Sequence, residues 1–354
     1  MIDIAKIRLV TQHVTGTRFK TAHDIVGWMG AMQAQDYAMA KWAVGVRLAN
    51  ATDQAIETAI NNAEIIRTHL LRFTWHFVSA DDVYWMLELT APHIKASLKS
   101  RHRELGLDET IVAKSNAVIK RALRGGKQLT RAELIAKLAQ AKIATDDNRA
   151  SHLLGCAELD GIACSGATRN GKQTYALLEE RVPKTKSLTR EQALAKLAQK
   201  YFTSHGPATL QDFVWWSGLP VADAKRALEM VKADFISEKI GAQTFWLTDF
   251  SAPKSVAHLL PAFDEFIISY RDRSAALADE HFRKMISSNG IFRPVIVVNG
   301  QVAGLWKRTI KKDSAIVETG FFKQPDKTTR RLIEQAVFRY ERFLGKITEI
   351  HYEV

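Results

Sequence analysis

Two stretches of this chain carry the same local order, and that order restricts the fold more than any other feature. Thr130 with Glu133, and Thr189 with Gln192, have capping-box spacing, each ahead of an amphipathic run, "AELIAKLAQ" and "EQALAKLAQKYFTSHG". After the first, "NRASHLLGCAEL" keeps a helical period, and "GIACSGATRNGKQTYALL" reads as two strands around a turn rich in Gly and Asn. After the second, "TLQDFVWWSGL" and "VADAKRALEMV" read as helices joined at Gly218-Leu219-Pro220. "DFISEKIGAQTFWLTD" then supplies two strands joined at Gly241-Ala242. Helices followed by a β-hairpin make a helix-turn-helix with a wing. Arg169 and Lys172 would form the basic tip of the first wing.

The first 125 residues read as a more embellished copy. Thr21 with Asp24 caps "AHDIVGWMG", a helix is expected from Tyr37 through Leu48, and "EIIRTHLL" and "TWHFVS" alternate as strands do. A helical stretch follows from Asp81 to Leu123. Near the end, "LLPAFDEFIISY", "RPVIVVNGQVAGLWKR" and "AIVETGFF" read as strands, with a hairpin at "VNGQ", and "DKTTRRLIEQAVFRYERFLG" as a final amphipathic helix. The expected fold is mainly α with short β (α+β). It comprises winged-helix units over 1–125, 126–185 and 186–252 and a β-rich C-terminal part over 253–354.

The charge balance points to a polyanionic partner. Lys and Arg number 50 against 38 Asp and Glu, a formal +12, and the pI is near 9.6. Between Lys95 and Lys127 nine Lys/Arg face three Asp/Glu, so part of the excess is concentrated. Nucleic acid is preferred over membrane, because no polybasic amphipathic helix stands out and no apolar run reaches the roughly 18 residues of a membrane span. Cys156 and Cys164 lack zinc or redox spacing and read as small buried hydrophobes in a reducing interior. The start lacks the order of a signal peptide, so a cytoplasmic, DNA-associated monomer is expected. No P-loop, nucleotide-binding glycine fingerprint or metal cluster is present, and neither metal nor cofactor is expected.

One short segment fits none of this scaffolding. "GAMQAQDYAMAKW" places Gln33 and Gln35 two positions apart in an apolar run. On a helix they would face away from each other, and they share a side only on extended backbone. Gly30 suits a helix end just before them. A polar pair on one face of a helix break is therefore expected. Spacing alone leaves a cap or buried hydrogen-bonding device as the plainer reading.

The same residues carry a resemblance. "RLVTQHVTG…GAMQAQDYAMAKWAVGVRL", "LRFTWHFVSADDVYWML", "LLPAFDEFIISYRDR" and "RPVIVVNGQVAGLWKR" together resemble the AlkZ/YcaQ-type winged-helix DNA glycosylases from Arg8 to about Phe343. The most specific parts are the Q-x-Q at Gln33 and Gln35 and the segment Thr74-Trp75-His76. The resemblance implies three tandem winged-helix units curved around DNA, with Gln33 and Gln35 as catalytic residues. It further implies excision of cationic alkylated purines such as N7-alkylguanine, in some members from bulky toxin adducts or interstrand crosslinks. An N7-alkylated purine leaves as a neutral base, so two amides that position a water would suffice.

Weaker candidates surround this pair. Thr74, Trp75, His76 and Asp36 are candidate supporting residues, and a satisfied core histidine is the plainer reading of His76. Arg271, Arg273, Lys307 and Arg308, with Arg169 and Lys172, are candidate DNA contacts; a solvated charged face is their alternative. Asp264-Glu265 could offer a carboxylate, or sit on a strand in a salt bridge to Arg271 or Arg273. Trp215-Trp216 reads as core. No lysine nucleophile accompanies the motif, which favours a monofunctional glycosylase. The competing class is a non-catalytic winged-helix regulator, which would bind specific sequence as a symmetric dimer.

Overall fold

Local capping signals set most helix ends in the computed structural model, which describes residues 2–184, 186–249, 255–287 and 289–353. The Thr130–Glu133 and Thr189–Gln192 boxes are both closed and start helices Arg131–Gln140 and Arg190–His205. Thr21 caps Ala22–Met29 and Asp326 caps the final helix Lys327–Leu344. The long helical stretch expected after Asp81 is two helices, Val83–Glu104 and Glu109–Leu123.

In the second quarter of the chain, helices Glu109–Leu123, Arg131–Gln140 and Arg149–Leu159 are followed by strands Ala163–Ser165 and Thr174–Leu177. The short strand Leu129–Thr130 completes that sheet. The next stretch repeats the order: helices Arg190–His205, Leu210–Ser217 and Val221–Val231, then the hairpin Ile236–Ile240 with Gln243–Leu247. Near the N-terminus a three-stranded sheet has Thr74–Ser79 in the centre, flanked by Ala31–Gln33 and Ile65–Leu70. The expected boundary residue at 185 and the boundary at 252/253 lie outside the described residues.

The C-terminal sheet has five strands: Ile347–Glu353, Ser314–Phe321, Gln301–Ile310, Val295–Val298 and Ala257–Leu260, in that spatial order. Its one parallel pair joins Ser314–Phe321 to Ile347–Glu353, with helix Lys327–Leu344 crossing between them. The hairpin turn at Asn299-Gly300 is present. The stretch "LLPAFDEFIISY" departs from the strand expected of it. Only Ala257–Leu260 is strand; Pro261 follows, and Asp264 then caps the short helix Glu265–Ile268 by accepting the Phe266 N–H at 2.9 Å. Proline cannot donate to a ladder and an Asp cap favours a helix start, so the backbone leaves the sheet there.

The hydrophobic cores do not follow chain order. One contains Trp42 and Phe77 from the N-terminal region together with Ile296, Trp306, Tyr340 and Phe343 from the C-terminal sheet and helix. A second joins Val78 and Met86 to Leu194, Tyr201, Phe213 and Trp216. A third, with Ile119, Leu134, Leu153 and Leu177, draws only on residues 105–177. The Trp42 and Trp306 indole N–H groups donate to the successive carbonyls of Leu259 and Leu260, at 2.7 and 2.8 Å. Truncating either ring to alanine would cost about 3–5 kcal/mol from lost contacts and the cavity left.

A buried polar network ties the same regions. Arg47 makes two 2.8 Å bonds to Asp264, both side chains fully buried, and donates to Gln12 Oε1 at 2.9 Å. Gln12 in turn donates to the Tyr270 hydroxyl, and Tyr270 to the His205 carbonyl. Removing one partner of such an ion pair costs about 3–5 kcal/mol, because the other charge is left uncompensated. Asp264 therefore pairs with Arg47, and among the described residues no salt bridge joins Asp264 or Glu265 to Arg271 or Arg273.

Candidate active site

Helix Ala22–Met29 stops at Gly30, whose φ of +78° suits glycine alone. The chain then runs extended. Ala31–Gln33 pairs antiparallel with Thr74–Ser79, placing Gln33 opposite His76, and the Ala34 N–H donates to the Trp75 carbonyl at 2.6 Å. The strand ends at Gln33 and the chain bends at Gln35, an irregular turn of backbone that leaves both glutamines lining a cleft of about 360 Å³. Gln33 is half-buried and Gln35 exposed.

Three side chains from distant parts of the sequence hold this segment. Glu265 Oε1 accepts the Gln33 N–H at 2.6 Å. Arg67 Nε donates to the Ala34 carbonyl at 2.9 Å, its guanidinium stacked over Trp75 at 4.0 Å. Arg72 Nη2 donates to Gln33 Oε1 at 3.4 Å.

Glu265 is buried and also accepts from Trp216 Nε1 at 3.2 Å and from the Ser269 hydroxyl. Burial opposes its charge, yet His205, Ser269 and the Gln33 amide hold the carboxyl well below the usual carboxylate range. It is a fixed anion beneath the cleft floor. His76 is fully buried, and burial with Arg72 beside it lowers the ring to about 4. It is neutral at neutral pH, with Nδ1 on the Thr74 carbonyl at 2.8 Å and Nε2 unpartnered.

Arg72 sits at the tip of the hairpin between Ile65–Leu70 and Thr74–Ser79, flanked by positive φ at Leu71 and Phe73. Its Nη1 donates to the carbonyls of Trp215, at 2.8 Å, and Trp216. These are orphan acceptors at the end of helix Leu210–Ser217, where a cation is favoured. That helix ends at Gly218 with φ +68°, and a Cβ there would lie 3.1 Å from Arg72 Cγ and from the Leu71 carbonyl. Glycine is required both for the turn and for the hairpin to approach.

Trp215 corrects the reading of the Trp215-Trp216 pair as core. Consecutive helical residues point about 100° apart, so Trp216 is buried while Trp215 is 41% exposed in the cleft wall. Its indole donates to the Ile268 carbonyl at 2.9 Å, and the Arg273 guanidinium lies 5.3 Å from its ring and 5.2 Å from that of Phe292. Arg273 also borders a neighbouring cavity of about 460 Å³, shared with Arg271 and Gln211.

The other expected residues divide. Thr74 lines the cleft. Trp75 does not; it points to the opposite face of the sheet, against Arg67 and His69. His76 lies beneath the floor, outside the cleft lining. Asp36 caps helix Tyr37–Gly45, accepting from Met39 N at 3.0 Å. Arg169 is ion-paired to Glu133 at 2.5 Å, and Lys172 is exposed on the same tip. Lys307 and Arg308 lie on strand Gln301–Ile310, Arg308 donating to the Tyr340 hydroxyl at 2.5 Å, and neither lines the cleft. Both cysteines are buried, and burial pushes their thiols up to about 11 and 12. Among the described residues no group of His, Cys, Asp or Glu could hold a metal ion. No helix there is long and apolar enough to cross a membrane.

Two amides face one cleft walled by an indole and two guanidinium groups, and among the described residues no carboxylate lines it. A model of the AlkZ-like family, described as DNA glycosylase AlkZ-like, matches residues 26–343, and the chain belongs to that family. It is 26% identical over 336 residues to the interstrand DNA cross-link repair glycosylase of Streptomyces sahachiroi, spanning 90% of this chain and 88% of that one. The solved structure of Streptomyces sahachiroi DNA glycosylase AlkZ has the same fold, with a TM-score of 0.82 over 98% of both chains at 21% identity.

Proposed function

We propose that this protein is a monofunctional DNA glycosylase, acting as a cytoplasmic monomer on cationic alkylated purines in duplex DNA, with N7-alkylguanine as the type lesion. The observation that carries this reading is the chemistry of the cleft wall: Gln33 and Gln35 line it, and no carboxylate or lysine does so among the described residues. Without an exposed carboxylate the site is poorly equipped to cleave a normal glycosidic bond, which needs protonation of the base. An N7-alkylated purine already bears that positive charge. The C1′–N9 electron pair passes to the ring, the base departs neutral, and water adds its oxygen to C1′ while its proton goes to solvent. The amides orient the water and contact the sugar–phosphate, a positioning effect that does not depend on titration. A lysine would be needed for a Schiff-base lyase step, and its absence from the wall supports simple hydrolysis.

Three winged-helix units would present the DNA, with Arg169, Lys172, Arg271 and Arg273 on phosphates and Trp215 against a base. The exposure of Gln35 and Trp215 leaves room for bulky adducts, and the name of the Streptomyces sahachiroi relative supports crosslinks as further substrates. The test is single-turnover excision on a duplex with one N7-methylguanine. Wild type should release the free base, and Gln33→Ala/Gln35→Ala should lose at least about a hundredfold in rate with affinity for undamaged duplex retained. No release by wild type from this duplex or from a crosslinked one would refute the proposal.

A further inference from the structure

We propose that Arg72 assigns different jobs to the two glutamines: Gln33 is the hydrogen-bond donor to the DNA backbone, and Gln35 alone accepts from the attacking water. The inference rests on the glycosylase reading above and deepens it. A guanidinium has only N–H donors, so whichever atom of the Gln33 amide faces Arg72 must be its oxygen. That contact removes the usual ambiguity of amide orientation and leaves the Gln33 NH₂ for the cleft. Arg72 cannot turn away cheaply, because Nη1 is committed to the Trp215 and Trp216 carbonyls and Gly218 packs against its stem. The Gln33 main chain is fixed as well, its N–H held by Glu265. Gln35, by contrast, is exposed, and its side chain makes no hydrogen bond among the described residues. Its carbonyl oxygen is free to accept from water.

The chemistry narrows the partner of the Gln33 NH₂. The sugar ring oxygen must share electron density with C1′ as the bond to the base breaks, and a hydrogen bond donated to it would oppose that. A phosphodiester oxygen beside the lesion keeps its lone pairs throughout and suits the donor. Arg72 is thus a positioning residue, acting on substrate through Gln33.

Charge-swapped amides and a double-mutant cycle test this on the N7-methylguanine duplex. Gln33→Glu keeps an oxygen for Arg72 but presents a carboxylate to phosphate, so its single-turnover rate should fall at least about tenfold further than that of Gln35→Glu, which remains an acceptor. Affinity for a duplex carrying a stable abasic-site analogue should also drop for Gln33→Glu, and less so for Gln35→Glu. Arg72→Met should slow the wild type at least about tenfold, yet slow Gln33→Ala less than about twofold, because its effect passes through that amide. An equal loss in both backgrounds would overturn the proposal and make Arg72 an independent contact. Should Arg72→Met not fold, the ranking of the two glutamate variants decides alone, and Gln33→Glu outperforming Gln35→Glu would refute the division. No release by wild type from this duplex or from a crosslinked one would overturn the underlying reading and this proposal with it.

Discussion

Glu265→Gln isolates the buried anion beneath the glutamine strand with almost no change of shape. In the wild type one carboxylate satisfies three donors: the Gln33 N–H, the Trp216 indole and the Ser269 hydroxyl. An amide has one oxygen and one NH₂, and the serine can reverse its hydrogen to accept. In either orientation one N–H, from the Gln33 backbone or from the indole, faces another donor. An orphaned buried donor costs about 1–3 kcal/mol, and each remaining bond loses about 1 kcal/mol when its acceptor becomes neutral. The sum, about 3–5 kcal/mol, weakens the protein without exceeding the 5–15 kcal/mol typical of folded chains. It also frees the strand end at Gln33, where a shift approaching 1 Å is worth about a hundredfold in rate. Single-turnover excision should therefore fall about 10- to 100-fold at unchanged affinity for undamaged duplex, with the urea midpoint lowered in the same preparation. Full-rate excision alongside a lowered midpoint would refute the argument, because Glu265 would then support the fold and not the placement of Gln33.

Other consequences can be measured directly. With His76 held neutral down to about 4 and the Glu265 carboxyl well below its usual range, excision should vary less than about twofold between about pH 6 and 9; a bell-shaped profile would contradict an amide-based site. Burial lowers His13 and His76 to about 4 and His258 to about 3, each below the ordinary 6.5. The unfolded chain thus takes up protons first: stability is complete above about pH 6.5 and falls as pH drops toward 4, with a slope approaching about 4 kcal/mol per pH unit from three rings. A melting temperature flat from pH 7 to 4 would show these rings are not neutral when folded. Trp215→Ala should weaken binding to an abasic-site duplex by about 1–3 kcal/mol if a base stacks on the ring, while Trp215→Phe recovers much of it. Equal losses in both variants would assign the effect to the lost bond to the Ile268 carbonyl.

Features governed by neighbouring residues were legible in the sequence. The two capping boxes, the turns at Gly218 and Gly241, and the hairpin at Asn299-Gly300 are set within four residues, and the structure has all of them. Helix Glu265–Ile268 differs from the expected strand because its apolar run has the pattern of a buried strand, although Pro261 and the Asp264 cap mark the break. The last strand, Ile347–Glu353, has an alternating "ITEIHYE", but nothing local says which strand it will join in parallel. At the cleft, Gln33 and Gln35 stood out because two amides are unusual in an apolar run. Arg72 did not, looking like an ordinary surface charge until the fold brings it to Gln33 from 39 residues away; Glu265 reads only as one half of a possible carboxylate pair, and nothing local shows that it reaches Gln33 across 232 residues. The separation of Trp215 from Trp216 was in principle visible from helical geometry, but which ring faces the cleft is decided by tertiary packing.

The long reach of Glu265 has a consequence for synthesis of the chain. The ribosome delivers Gln33 and Gln35 early, but the carboxylate that holds the Gln33 backbone and the strands that share a core with Trp42 and Phe77 come from the last third of the sequence. Before those residues emerge, the amide strand has neither its anchor nor half of its apolar support, and such distant contacts form late in folding. An unfinished or truncated copy should therefore carry the glutamine motif without a working cleft, so that the capacity to cut bases from DNA arrives only with a nearly complete chain.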